Sequence, residues 1–92
     1  SMSDVIHDFN GHEFYIELNN DKSLLQYHLI DNSVLDFYRT FVPDSLRGQG
    51  LAQKLVVAGL DFAQQNNYKV KASCWFVEKY LNSHSEYANL RV

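Results

Sequence analysis

Chemistry in this chain points first to Val42-Pro43-Asp44-Ser45-Leu46-Arg47-Gly48-Gln49-Gly50-Leu51-Ala52, where two glycines and an arginine precede an amphipathic run. Glycine lets a backbone come close to a ligand and adopt positive φ. The first amides of a helix have no intrahelical partner, and the helix dipole favours an anion beside them. Together these make a cradle for phosphate or pyrophosphate, with Arg47 as a fixed positive charge at its mouth. Two familiar phosphate loops do not fit. Gln53 stands where a dinucleotide fingerprint needs a third Gly or Ala, and no Gly-Lys-Ser/Thr ending follows. The other reading of the same letters is a strand–helix turn whose glycines serve geometry alone.

Cys74 stands directly before a second, shorter helical pattern. A helix N-terminus lowers a thiol's pKa and the thiolate is the nucleophile, although a lone free cysteine also serves as a small buried hydrophobe. Tyr80 has two readings, a proton donor or a packing partner of Phe76. Glu78 and His84 are candidate bases acting through water. His7, His12 and His28 have no cysteine or carboxylate cluster at ligand spacing, so no metal site is expected.

The elements that must position these residues follow from periodicity. Residues 5–9 read as a strand, and Asn10-Gly11 as a two-residue hairpin. Phe14, Ile16 and Leu18 alternate with Glu13, Tyr15 and Glu17, the pattern of a half-buried strand. Asn19-Asn20-Asp21 turns the chain into a strand carrying Leu25, Tyr27 and Leu29, and Asp31-Asn32 turns it again. A fourth strand is expected over residues 34–42. On it Arg39 falls on the face of Leu35, Phe37 and Phe41, where a charge is costly unless paired, in a cleft, or at an edge. Over residues 51–63 the apolar positions share one broad helical arc, with only Val57 among the polar ones. Asn66-Asn67 is a helix stop. A fifth strand sets Tyr68, Val70, Ala72 and Cys74 on one face, residues 75–81 read as a short helix, and Ser85 caps a last turn towards Leu90. The strand–helix–strand order makes the fourth and fifth strands parallel. The expected fold is α+β: a mostly antiparallel mixed sheet of about five strands, one long helix in a β-α-β unit, and a short C-terminal helix.

Composition bounds what such a fold can serve. The 92 residues suit one domain spanning 1–92, with Ser1 read as a remnant of tag cleavage ahead of Met2. A content of 46% hydrophobic and 21% charged residues excludes a disordered or low-complexity chain. A net charge of −3 argues against nucleic acid as a partner. Apolar runs are too short for a membrane helix, and no signal peptide opens the chain. One cysteine allows no internal disulfide and suits a reducing, cytoplasmic setting.

Arg47, Gly50 and Ala52 form Arg-x-x-Gly-x-Ala, which resembles the acetyl-CoA pyrophosphate loop of the GNAT superfamily of N-acetyltransferases. Ser73-Cys74-Trp75-Phe76-Val77-Glu78-Lys79-Tyr80-Leu81, with His84-Ser85-Glu86-Tyr87 beyond it, is similar to the tail of the small stand-alone members. Arg39 stands where that group often has His before Thr-x-Val-Pro, which weighs against a histidine base on this strand, and Ser85 replaces a common proline. The resemblance implies acetyl-CoA as cosubstrate and a primary amine as acceptor. The pantetheine arm would bond strand-four backbone at Phe41 and Val42, and the pyrophosphate would take Arg47, Gly48, Gln49, Gly50, Leu51 and Ala52. Lys79 would meet a phosphate or the adenine. By the same resemblance Cys74 lies near the thioester and Tyr80 protonates the leaving thiolate. From its own position, Arg39 either lines an acceptor site drawing an acidic or phosphorylated substrate or sits at an edge with its head in solvent. The alternatives are a weak or inactive CoA-binding module and a protein-interaction domain, as a monomer or a small homo-oligomer.

Overall fold

The computed structural model describes residues 4–92, so the reading of Ser1 lies outside the described residues. β1 (Ile6–Asp8), β2 (Glu13–Leu18), β3 (Asp21–Ile30) and β4 (Val34–Phe41) form an antiparallel meander in chain order. β5 (Lys69–Ala72) lies beside β4 and parallel to it, after the crossover through α1 (Leu51–Gln65) that parallel neighbours require. α2 (Trp75–Ser83) and a 3-10 segment, Ser85–Leu90, complete the chain. The expected α+β architecture is the observed one.

Turn chemistry explains the meander. Asn19 and Asn20 both take positive φ, 55° and 65°, giving a two-residue hairpin between Leu18 and Asp21. β3 therefore starts well before Leu25. Asp31 and Asn32 do the same at 51° and 55°, with the Ser33 amide donating to the Ile30 carbonyl at 3.0 Å. The first hairpin departs from expectation. Its last pair is Asp8 with Glu13, so Phe9–His12 are all in the loop, and the left-handed residue is His12 rather than Asn10 or Gly11. Ser85 begins the last 3-10 segment without capping it; His84 holds the cap position, with no side-chain bond.

One side of the sheet holds the core. Phe14, Ile16, Leu25, Tyr27, Leu35, Phe37 and Val70 pack against Leu51, Leu55, Val56, Leu60 and Ala63 of α1 and Val77 and Leu81 of α2, all buried. Gly59 lets α1 settle on the sheet: a Cβ there would stand 2.9 Å from the Phe37 ring. The opposite, outer side leaves Ile6, Tyr38 and Phe41 exposed.

A bulge redirects β4. Gln26 pairs with Arg39 but Tyr27 pairs with Phe37, leaving Tyr38 as the extra residue. Beyond it the alternation inverts. Arg39 and Phe41 turn to the outer side and Thr40 turns inward, so Arg39 does not share the face of Leu35 and Phe37. Its guanidinium donates to Gln26 Oε1 at 3.2 Å.

Candidate functional site

The site begins where two parallel strands part. β4 and β5 pair from Val34–Lys69 to Phe37–Ala72, after which β4 continues to Phe41 joined only to β3. Two ties fix the parting point. Both oxygens of the buried Asp36 carboxylate accept from Ser73, from its amide at 3.1 Å and its hydroxyl at 2.9 Å, and the Cys74 amide donates to the Phe37 carbonyl at 2.9 Å. The result is a fork whose β4 edge presents main-chain polar groups.

Past β4 the chain makes a 3-10 turn, Asp44–Leu46, and then the glycine loop into α1. Gly48 and Gly50 are left-handed, φ 81° and 73°, and nothing stands within 4 Å of where a Cβ would project from either. Gly50 is the N-cap of α1 and makes no side-chain capping bond to that end. The start of α1 thus borders an open cavity of about 300 Å³, lined by Val42, Leu46, Arg47, Gly48, Gly50, Leu51, Ala52, Gln53 and Phe76. Arg47 folds back along its rim, its Nε donating to the Val42 carbonyl at 3.2 Å and its Nη1 pairing with Asp44 at 3.0 Å. That pair is exposed on both sides, so it is worth at most about 1 kcal/mol and yields readily to a phosphate.

A second cavity, about 230 Å³, adjoins the first through Gln53 and Phe76 and is walled by Trp75, Lys79, Tyr80, Ser83 and His84. Lys79 Nζ lies 5.1 Å over the Trp75 ring. The Tyr80 ring stacks on His84 at 3.7 Å, and burial, with help from the Glu86 and Asp61 carboxylates, pushes its hydroxyl above the ordinary tyrosine range. The hydroxyl therefore keeps its proton at neutral pH and can donate it. The His84 Nδ1 faces the Tyr80 carbonyl at 2.8 Å; a carbonyl only accepts, so Nδ1 carries a hydrogen. Cys74 is the half-buried N-cap residue of α2, its Sγ 3.6 Å from the Thr40 hydroxyl.

An uncapped helix start, two open glycines and a strand edge are what a diphosphate with a peptide-like arm needs, so these residues fit acetyl-CoA. The GCN5-related N-acetyltransferase family model matches residues 13–90, nearly the whole of the sheet and both helices. The chain belongs to this family. Among its relatives, Protein NATD1 of chicken (Gallus gallus) is 34% identical over 82 residues, covering 87% of this chain and 74% of that one. Protein NATD1 of human (Homo sapiens) is 34% identical over 82 residues, with 87% and 73% covered. The zebrafish (Danio rerio) Protein NATD1 is 33% identical over 87 residues, with 90% and 79% covered. In three dimensions the chain is similar to a GCN5-like candidate N-acetyltransferase from Staphylococcus aureus solved in solution by NMR. The TM-score is 0.78 at 31% identity, covering 100% of this chain and 90% of that one. Family membership sets the chain among acetyl-transfer proteins.

The structure gathers Val42, Arg47, Gly48, Gly50, Leu51 and Ala52 around one cavity and puts Lys79 and Tyr80 in its neighbour. Phe41, Gln49 and Cys74 line neither. Phe41 is on the outer face, Gln49 is exposed between the glycines, and Cys74 sits at the fork against Thr40. Sequence reasoning missed Gln53 and Trp75. Gln53 is the third residue of α1, and a polar residue in a helix's first turn beside a glycine cradle is a detectable signal. Trp75, 72% exposed, had no signal apart from its place beside Cys74.

Proposed function

We propose that this chain is a single-domain, acetyl-CoA-dependent N-acetyltransferase that acetylates a primary amine in the cytoplasm. The observation that carries the reading is the uncapped start of α1 behind two left-handed glycines with open space before them. Acetyl-CoA supplies the acyl group as an activated thioester. The amides of Gly48, Gln49, Gly50, Leu51 and Ala52, with the Arg47 guanidinium, bind the diphosphate. The backbone of Phe41 and Val42 orients the pantetheine arm along the open edge of β4, and Lys79 meets a phosphate or the adenine. Tyr80 gives its proton to the departing thiolate sulfur. Cys74 bears on the thioester from the fork, either packing against it or accepting the acetyl group before the amine does.

Calorimetric titration with acetyl-CoA, CoA and ATP tests the binding claim: a preference for CoA is expected, and equal or absent binding overturns it. Acetylation of lysine peptides, polyamines and small amines then tests the chemistry. A Cys74→Ala variant that keeps its rate removes the covalent route. A CoA-binding module without turnover is the second reading. It is favoured by the short loop Phe9–His12, which takes β1 straight into β2 and brings no helix over the outer face.

A further inference from the structure

Among the described residues, the outer face of the sheet beside the fork holds a cation without an anion. Arg39 donates to Gln26, a neutral partner, at 3.2 Å, and Gln26 in turn donates to Glu13 at 3.0 Å. The Glu13 charge is met by Lys22 on the next strand. The other outer-face carboxylate of the fork, Asp36, is occupied at both oxygens by Ser73. Among the described residues Arg39 therefore has no ion-pair partner, in a chain whose net charge is −3. Its guanidinium carbon sits 5.5 Å from the Phe41 ring, and Phe41 is 41% exposed. Tyr38, the bulge residue, directly precedes Arg39 on the same strand, 37% exposed and stacked on His28 at 4.0 Å. The bulge produces this shelf: without it Arg39 and Phe41 would point to the helical side.

Geometry separates the two approaches to the fork. The glycine cradle and both cavities lie on the helical side, whereas the Arg39 shelf lies on the outer side, with Thr40 and Cys74 between them. We propose that this shelf is the acceptor site, and that the acceptor is a primary amine bearing a carboxylate and an apolar or aromatic body. The inference rests on the acetyl-transfer reading above. The carboxylate takes paired N–H donors of Arg39, the body lies on Phe41 and Tyr38, and the amine reaches into the fork. There the amine nitrogen bonds to the acetyl carbon, the carbon–sulfur bond breaks, and the proton lost by nitrogen ends on the CoA sulfur. Atoms and electrons balance with no further reactant.

The test uses the two amide products, which need no turnover. N-acetylphenylalanine and N-acetylphenethylamine differ only by the carboxylate, and each is titrated into CoA-saturated protein while backbone amide resonances are followed by NMR. The carboxylated product is expected to bind about tenfold tighter, shifting residues 38–41, with that ratio falling to about one in Arg39→Gln and partly recovering in Arg39→Lys. Peak dispersion reports directly that each variant is folded. Equal dissociation constants, shifts confined elsewhere, or a preference that survives Arg39→Gln would overturn the proposal. So would shifts of residues 38–41 that track protein concentration alone with a dimeric mass, since a second copy would then own the face. If CoA itself moves no resonance among residues 47–53, the acetyl-transfer reading fails. If CoA moves them and the carboxylate makes no difference, only the acceptor assignment fails.

Discussion

At Gly50 the backbone turns left-handed, φ 73°, just where α1 begins, and a side chain there would project into the open cradle. Gly50→Ala is expected to cost about 1 kcal/mol through the left-handed backbone alone, near 5 °C in Tm. It should also weaken acetyl-CoA about tenfold or more, because the methyl occupies the space a diphosphate needs. Calorimetry beside thermal unfolding separates the two effects. Tyr80 makes a different prediction at the same scale. Its hydroxyl is held above the ordinary range, so the acid form persists well into alkaline pH. Tyr80→Phe should lower kcat by about a hundredfold with acetyl-CoA binding little changed, and the wild-type rate should fall only beyond the ordinary tyrosine range.

Between elements, Gly59 sets how closely α1 approaches the sheet. Gly59→Ala gains about 1 kcal/mol of helix propensity but drives a methyl to 2.9 Å from Phe37, whose ring is fully buried and cannot yield outward. Overpacking costs about 1–3 kcal/mol, so a net loss of about 1 kcal/mol is expected in chemical denaturation. Much of the element order was legible because turns and periods carry it. Asn19-Asn20 and Asp31-Asn32 mark their hairpins by tolerating positive φ, and the apolar arc of α1 defines its core face. The bulge at Tyr38 was not legible. Leu35, Phe37 and Phe41 keep the spacing of an unbroken strand with Arg39 as its one misplaced charge, and the extra residue itself shows only in the partner strand's register. That one hidden residue reversed the placement of Arg39. The glycine cradle was readable from letters, since a loop and its helix are adjacent in sequence. The second cavity was not, because Gln53 meets Phe76, Trp75 and Tyr80 only through packing of α1 beside α2.

Across the whole molecule, stability is tied to pH through a histidine at the far end of the core. The His7 ring stacks on Phe14 at 3.9 Å, meets Phe62 edge-on at 4.3 Å, and places Nε2 2.8 Å from the Tyr27 hydroxyl. Burial lowers its pKa below 6.5, with Asp8 partly opposing, while burial also lifts Tyr27 to about 12. The unfolded chain takes a proton at His7 before the folded one does. The contribution is therefore complete above pH 6.5 and is lost as pH falls through the lowered folded value. Denaturation midpoints measured between about pH 5 and pH 8 should drop on the acid side, and His7→Phe should flatten that slope. Trp75, the chain's single tryptophan, has another consequence for the molecule as a whole. It is 72% exposed on the wall of the second cavity, away from the buried core. Its emission starts out in water, so unfolding will scarcely shift its colour, while a purine laid over the indole will quench it. A titration with acetyl-CoA is therefore expected to quench the intrinsic fluorescence, while a denaturant series run beside it leaves the emission colour nearly unchanged.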